Sequence, residues 1–141
     1  MDTHDAKSIR YQSTLEGIRS ENLEGHFMGW PDPPSPDAHL RILQGSDYLV
    51  LAVSTQGTVA GWISAITDGV SCAYIPHLSV LPEYQGKGIG AELVRRMLEQ
   101  VGHLYMTDLV CDRDVAEFYV KQGFSECVGM VVRNFERQNC E

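Results

Sequence analysis

Apolar and polar positions along this chain fall into blocks of different period. Tyr48–Ser54 and Thr58–Ile66 are two strand-like runs joined by Thr55-Gln-Gly57, the signal of a hairpin. Asp68-Gly69 marks a turn before a third run, Cys72–Val80. From Gly88 to Val101 the period lengthens. Ile89, Leu93, Val94, Met97, Leu98 and Val101 share one helical face. Leu104–Cys111 predicts a buried strand. Asp114, with Glu117 three residues on, predicts a capping box and a helix that stops at Gly123. Phe124–Phe135 predicts at least one last strand. Before the hairpin the pattern is weaker. Ser8–Gln12 predicts a short strand, and residues 14–24 a helix with Leu15, Ile18 and Leu23 as its stripe. Gly25–Pro34 holds too many prolines and glycines for a helix and reads as an aromatic-bearing loop. Ser35-Pro36 then opens a short helix that Gly45 ends. Antiparallel strands followed by a β-α-β-α-β half predict an α/β sandwich with a mixed sheet.

Composition narrows the functional classes. The chain has 141 residues, enough for one domain with its own core. Its formal net charge of −8 argues against a nucleic-acid partner, since phosphate backbones require a basic footprint. The longest apolar run, Leu49–Val53, is far too short to span a bilayer, and Met1–Lys7 has no apolar core of a signal peptide. No membrane partner is expected. Four cysteines, at positions 72, 111, 127 and 140, show no CxxC pair, and the histidines at 4, 26, 39 and 103 are scattered in sequence. Neither pattern predicts a metal site. Cys72, Cys111 and Cys127 lie in apolar runs and read as small buried hydrophobes. A reducing, cytoplasmic setting follows.

The chemistry concentrates at Leu78–Gly90. A strand-like run stops at Pro82, and Gly86, Gly88 and Gly90 then open a helix. Glycines let the backbone approach a ligand, and a helix start offers unpaired N–H groups and partial positive charge. The combination suits a phosphate-like anion. A Walker loop is excluded, because Gly88 rather than Ser or Thr follows Lys87. Gly86-Lys-Gly88-Ile-Gly-Ala91 satisfies the dinucleotide fingerprint, with Asp108 at a plausible distance for a ribose contact. The polar insert at 82–87, and the roughly fifty residues left afterwards, argue against that fold. Packing of a helix against the backbone with no ligand is the bland alternative.

Gln85-Gly-Lys-Gly88-Ile-Gly90 resembles the Q/R-x-x-G-x-G/A signature of the GNAT superfamily of N-acetyltransferases, and Val115–Phe124 resembles its F-Y-x-x-x-G-F segment. The resemblance spans roughly residues 48–135. It implies a mixed, mostly antiparallel central sheet with helices on both faces, in a single domain over residues 1–141. It implies acetyl-CoA as co-substrate, with no metal, and a primary amine of a small molecule or protein as acceptor. The diphosphate would lie on Gly86, Lys87, Gly88, Ile89, Gly90 and Ala91, with Gln85 near it. The pantetheine arm would run along Leu78, Ser79 and Val80. The Leu78 N–H would serve as oxyanion donor, and Tyr119 would protonate the leaving thiolate. Relatives place Glu or His where this chain has Tyr74. His77 has a suitable pKa, but strand alternation turns it away from the Tyr74 side unless a bulge at Pro76 resets the phase. A water chain is then the expected base. Phe27, Met28 and Trp30 are candidates for the acceptor wall, and Asp112 for helix entry. A homodimer is compatible with the resemblance. Two other functions remain open: a non-catalytic CoA-binding regulatory module, and a nicotinamide-dependent enzyme.

Overall fold

The computed structural model describes residues 8–141. The N-terminal heptad and His4 lie outside them. Five strands form one sheet in chain order: β1 (Arg10–Gln12), β2 (Tyr48–Val53), β3 (Val59–Thr67), β4 (Cys72–Val80) and β5 (Met106–Leu109). The first three pairings are antiparallel and the last is parallel. Three helices complete the frame: α1 (Pro36–Gln44), α2 (Ile89–Val101) and α3 (Ala116–Lys121). No helix among the described residues is long and apolar enough to cross a membrane.

The continuous apolar runs of β2 and β3 follow from burial on both faces. Val50, Ala52, Ala60 and Ile63 face α2, where Ile89, Leu93, Val94 and Met97 close the larger core. Leu49, Leu51, Val53 and Trp62 point the other way, onto Leu43 of α1 and Leu23. Helices on both faces of a mostly antiparallel sheet are what the sequence predicts. The Ser35 side chain accepts from the Ala38 N–H, capping α1 as expected.

Several expectations fail for local reasons. Residues 14–24 form no α-helix. Gly17 adopts φ +74° after a turn, and only a 3-10 turn at Ser20–Leu23 follows. Leu15 and Ile18 still pack on the smaller core, so the stripe marks burial rather than helicity. The strand at 104–111 shrinks to β5, and none of its residues is buried, because β5 is the sheet edge. Asp112 caps a 3-10 turn at Arg113–Val115, which moves the start of α3 past Asp114. No capping box forms there. Phe124–Asn134 joins no ladder, and Phe135 opens a 3-10 turn that runs to Arg137. Cys111 and Cys127 are exposed, and Cys72 is half-buried. Cys72 is the first residue of β4, and Cys111 and Cys127 lie on the continuation of the edge strand β5 and on the unpaired tail rather than in the core.

Gly61 fixes how closely α2 sits on the sheet. A β-carbon there would lie 3.1 Å from both Leu93 Cδ1 and the Ser79 carbonyl oxygen, and 3.3 Å from Ile89 Cγ2. Gly61→Ala must therefore push the helix outward, at a cost of about 1–3 kcal/mol in urea unfolding. An unchanged midpoint would show that the interface has slack.

Candidate functional site

β4 makes the site because its two edges are treated differently. Against β3 it pairs along nearly its whole length. Against β5 the ladder covers only Cys72 to Ile75, opposite Met106 to Leu109. Beyond that point the strands part, and a cleft of about 590 Å³ opens between them. Residues 75–80 form one wall, and Leu109 to Asp112 with Val115 and Tyr119 form another.

The pairing of β4 with β3 also slips by one residue. Ser64 lies opposite His77, but Ile66 lies opposite Tyr74, so Ile75 and Pro76 together face Ala65. This bulge resets the alternation. Ala73 and Ile75 pack in the larger core, and so do Leu78 and Val80. That odd step from 75 to 78 puts His77 on the face of Tyr74, as the conditional reading of Pro76 anticipated. His77 lines the cleft. Tyr74 does not and is exposed.

Edge polarity follows from one hydrogen bond. Leu81 donates its N–H to the Ala60 carbonyl, toward β3. Alternation along an antiparallel strand then turns the N–H groups of Leu78 and Val80 to the opposite edge, into the cleft. The Val80 carbonyl follows the same rule, since it accepts from Gln85 Nε2 at 2.9 Å. Gln85 thus braces the loop through its side chain. An extended ligand can add to such an edge as a further strand.

The glycine loop stands at the end of that edge. Gly86 and Gly88 have φ +75° and +85°, which L-residues with side chains rarely adopt. Gly88 is the N-cap of α2. A β-carbon on either glycine would meet nothing within 4 Å, so both face open space. The first four N–H groups of a helix have no intrahelical partner, and here they begin at Ile89, Gly90 and Ala91. Such N–H groups suit an anion, but of this loop only Gln85 lines the cleft itself. Gly90 instead serves packing, with the Phe118 ring 3.5 Å from its missing β-carbon.

The opposite end of the cleft is aromatic. Trp62 is fully buried, and its ring lies 4.2 Å from His39, 5.0 Å from His77 and 5.8 Å from Phe27 between centroids. Trp30 covers Phe27 at 4.9 Å. His26 fastens this loop to the sheet. Its Nε2 lies 2.8 Å from the Val59 carbonyl, which only accepts, so Nε2 carries the proton. Its Nδ1 then accepts from the Ser79 hydroxyl at 2.9 Å. Three histidines far apart in sequence thus surround one tryptophan. Among the described residues, no group of three or more His, Cys, Asp or Glu could hold a metal ion. Phe27, Trp30 and His77 line the cleft. Met28, from the same loop, lines it too. Sequence reasoning missed Trp62, Val131 and Arg133, which also line it, and the supporting His26 and His39. The Trp62 position, inside a run buried on both faces, carries no signal of which face it takes.

Burial sets the protonation states. His77 and His26 are held below the ordinary imidazole value by desolvation. His39 is lowered to about 3 by desolvation and by its two neighbouring histidines. Neither of its ring nitrogens has a partner at hydrogen-bond geometry, and the nearby Leu23 carbonyl offsets little. Tyr119, on α3, is pushed up to about 12, chiefly by burial and then by Cys111. It is a phenol at any physiological pH.

The acetyltransferase (GNAT) family model matches residues 15–124. A putative acetyltransferase from Deinococcus radiodurans R1, solved by crystallography, is 40% identical over 99% of this chain and 97% of its own, with a TM-score of 0.95. An acetyltransferase of the GNAT family from Streptococcus pneumoniae TIGR4 is 27% identical over 89% of this chain and 98% of its own, at TM-score 0.73. The fold is shared with glucosamine-6-phosphate N-acetyltransferase of Arabidopsis thaliana at 15% identity and TM-score 0.67, over 90% of this chain and 98% of that one. No curated protein matches the chain.

The histidine cluster generates a pH signature. His39 has a lower pKa folded than unfolded, so the unfolded chain binds the extra proton. Its contribution is complete above about pH 6.5 and is lost as pH falls toward about 3, at up to about 1.4 kcal/mol per pH unit. His39→Phe should flatten the dependence of the urea midpoint between about pH 7 and about pH 5, relative to the native chain. Parallel dependences in both proteins would mean that His39 is not held neutral.

Proposed function

Because the chain belongs to the GNAT family of acetyltransferases, we propose that it moves an acetyl group from acetyl-CoA to a primary amine of a small molecule, both held together in the cleft. The observation that carries this reading is the parting of β4 from β5 beside a glycine-opened helix start. It supplies an open strand edge for a pantetheine arm and a row of N–H groups for a diphosphate. Acetyl-CoA brings the activated acyl carbon when bound. Every other part belongs to the chain.

The Leu78 N–H, already aimed into the cleft, holds the thioester oxygen and stabilises the negative charge that grows there. The aromatic end, with Phe27, Trp30 and His77, takes the acceptor and orients its nitrogen toward the acyl carbon. As the new C–N bond forms, that nitrogen gives up a proton. His77 is the neutral imidazole on this wall and receives it. The C–S bond breaks, and Tyr119 donates its phenolic proton to the sulfur. The burial that lifts Tyr119 also lifts a thiol in the same cleft, which narrows the gap between donor and acceptor. After turnover His77 releases its proton to solvent and Tyr119 takes one up, which restores both groups. The acidic chain repels nucleic acid, so the acceptor is a soluble amine, and its free thiols fit a reducing cytoplasm.

Calorimetric titration with CoA should show binding, and NADH should not compete. Acetyl transfer is read as CoA release against a panel of polyamines, amino acids, arylalkylamines and aminoglycosides. CoA binding without release for any acceptor would favour a regulatory module. Tyr119→Phe should lower kcat by about 100-fold and leave acetyl-CoA affinity near native. Unchanged turnover would remove Tyr119 from the reaction. The native kcat/KM should fall on the acid side with a midpoint below about 6.5, where His77 takes up a proton. His77→Gln should remove that limb; a limb that persists would assign it to the acceptor amine.

A further inference from the structure

Several exposed large apolar side chains stand in the cleft itself: Met28, Trp30, Val110, Val115 and Val131. Val110 and Val115 belong to the wall that faces the β4 edge. Met28 and Trp30 belong to the aromatic end, where the Trp30 ring lies 6.3 Å from His77 between centroids. The loop that carries them is held in place. Phe27 has φ +63°, a conformation that bulky residues rarely adopt. Such strain persists only where the surroundings over-determine it. Here two hydrogen bonds of His26 fix the preceding residue, and the Phe27 ring meets Trp30, His39, Trp62 and His77. Charge is sparse. Among the described residues lining the cleft, Asp112 and Arg133 carry the formal charges, His77 being held neutral, and neither has an ion-pair partner among the described residues. The tail carries Arg133 toward the aromatic end. It leaves the β5 wall at Gly129, where a β-carbon would lie 3.6 Å from Val110 Cγ2. It reaches the aromatic loop at Gln138, whose Oε1 accepts from the Asp32 N–H at 2.9 Å. Arg133 lies between these two points.

We propose that the acceptor is a monoamine with an aromatic body and a carboxylate, the chemistry of an aromatic amino acid. Its ring would remove Met28 and Trp30 from water and stack on a surface already built of rings. Its carboxylate would pair with the Arg133 guanidinium, whose planar fork of donors matches two carboxylate oxygens. Its amine is left for His77. A polyamine or an aminoglycoside fits poorly. Each brings several ammonium groups to a cleft with one carboxylate, and Arg133 repels them. The proposal rests on the proposed function for the reaction, and on this wall alone for the ligand.

Calorimetric titration of the CoA-loaded chain reads the ligand without turnover. L-phenylalanine should bind about 10-fold more tightly than phenylethylamine, which lacks the carboxylate, and than L-alanine, which lacks the ring. Spermidine should bind most weakly. Spermidine or phenylethylamine binding as tightly as L-phenylalanine would overturn the proposal. Arg133→Ala should erase the preference over phenylethylamine and leave CoA affinity near native. A preference that survives would refute the carboxylate pairing, and a fall in CoA affinity alone would give Arg133 to the cofactor phosphates and refute it equally. Trp30→Ala should weaken L-phenylalanine by about 10-fold and hardly change L-alanine. Equal losses for both would refute the placement of the ring. Both side chains are exposed, so the variants should keep the native circular dichroism spectrum. Turnover separates this proposal from the functional reading. L-phenylalanine that binds but releases no CoA from acetyl-CoA would sink the acetyl transfer and leave the ligand class standing. Release with spermidine and none with L-phenylalanine would do the reverse.

Discussion

One extra residue in β4 governs the site. The bulge at Ile75 and Pro76 lets the strand stay paired to β3 while its side chains change phase. Without it, His77 would point away from the face of Tyr74, and Leu78 would leave the larger core. The parallel ladder to β5 ends at the same place. Proline supplies no N–H for pairing, so it suits the residue where one edge is released. The released edge borders the cleft, and its polarity is set by the Leu81 hydrogen bond on the other side of the strand. Geometry, exposure and donor direction thus trace to a single local irregularity.

The two ends of the cleft use different physics. The glycine loop works through backbone. Its N–H groups and the start of α2 need no charged side chain to attract an anion, which suits a chain of net charge −8. The aromatic end works through packing. Trp62, Phe27 and three histidines form a buried aromatic stack, and desolvation keeps the imidazoles uncharged near neutrality. His26 holds the loop, His39 supports Trp62 from α1, and only His77 reaches the cleft. Similar residues therefore have separate tasks, decided by position in the stack.

Stability is distributed unevenly along the chain. Both cores are built from residues between Leu23 and Val101, and α2 closes the larger one. β5, α3 and the tail add walls to the cleft but no buried residue of their own. Tyr119 thus stands on an element with little anchoring beyond Phe118 and Phe124. Such segments open at low free-energy cost.

The sequence by itself determined the frame. Turn signals placed the β2–β3 hairpin, and Cys72–Val80 was legible as a strand to the residue. The helical stripe located α2, and the alternate glycines marked its start. These features are local, so near neighbours in sequence suffice to specify them. Tertiary structure decided the rest. It turned the stripe at 14–24 into irregular chain, because Gly17 reverses the backbone and burial needs no helix there. It exposed the strand expected at 104–111, because an edge has one neighbour. It gathered His26, His39 and His77 around Trp62, and turned Val131 and Arg133 into the cleft. Those contacts join residues tens of positions apart, and no local period encodes which distant surfaces will meet.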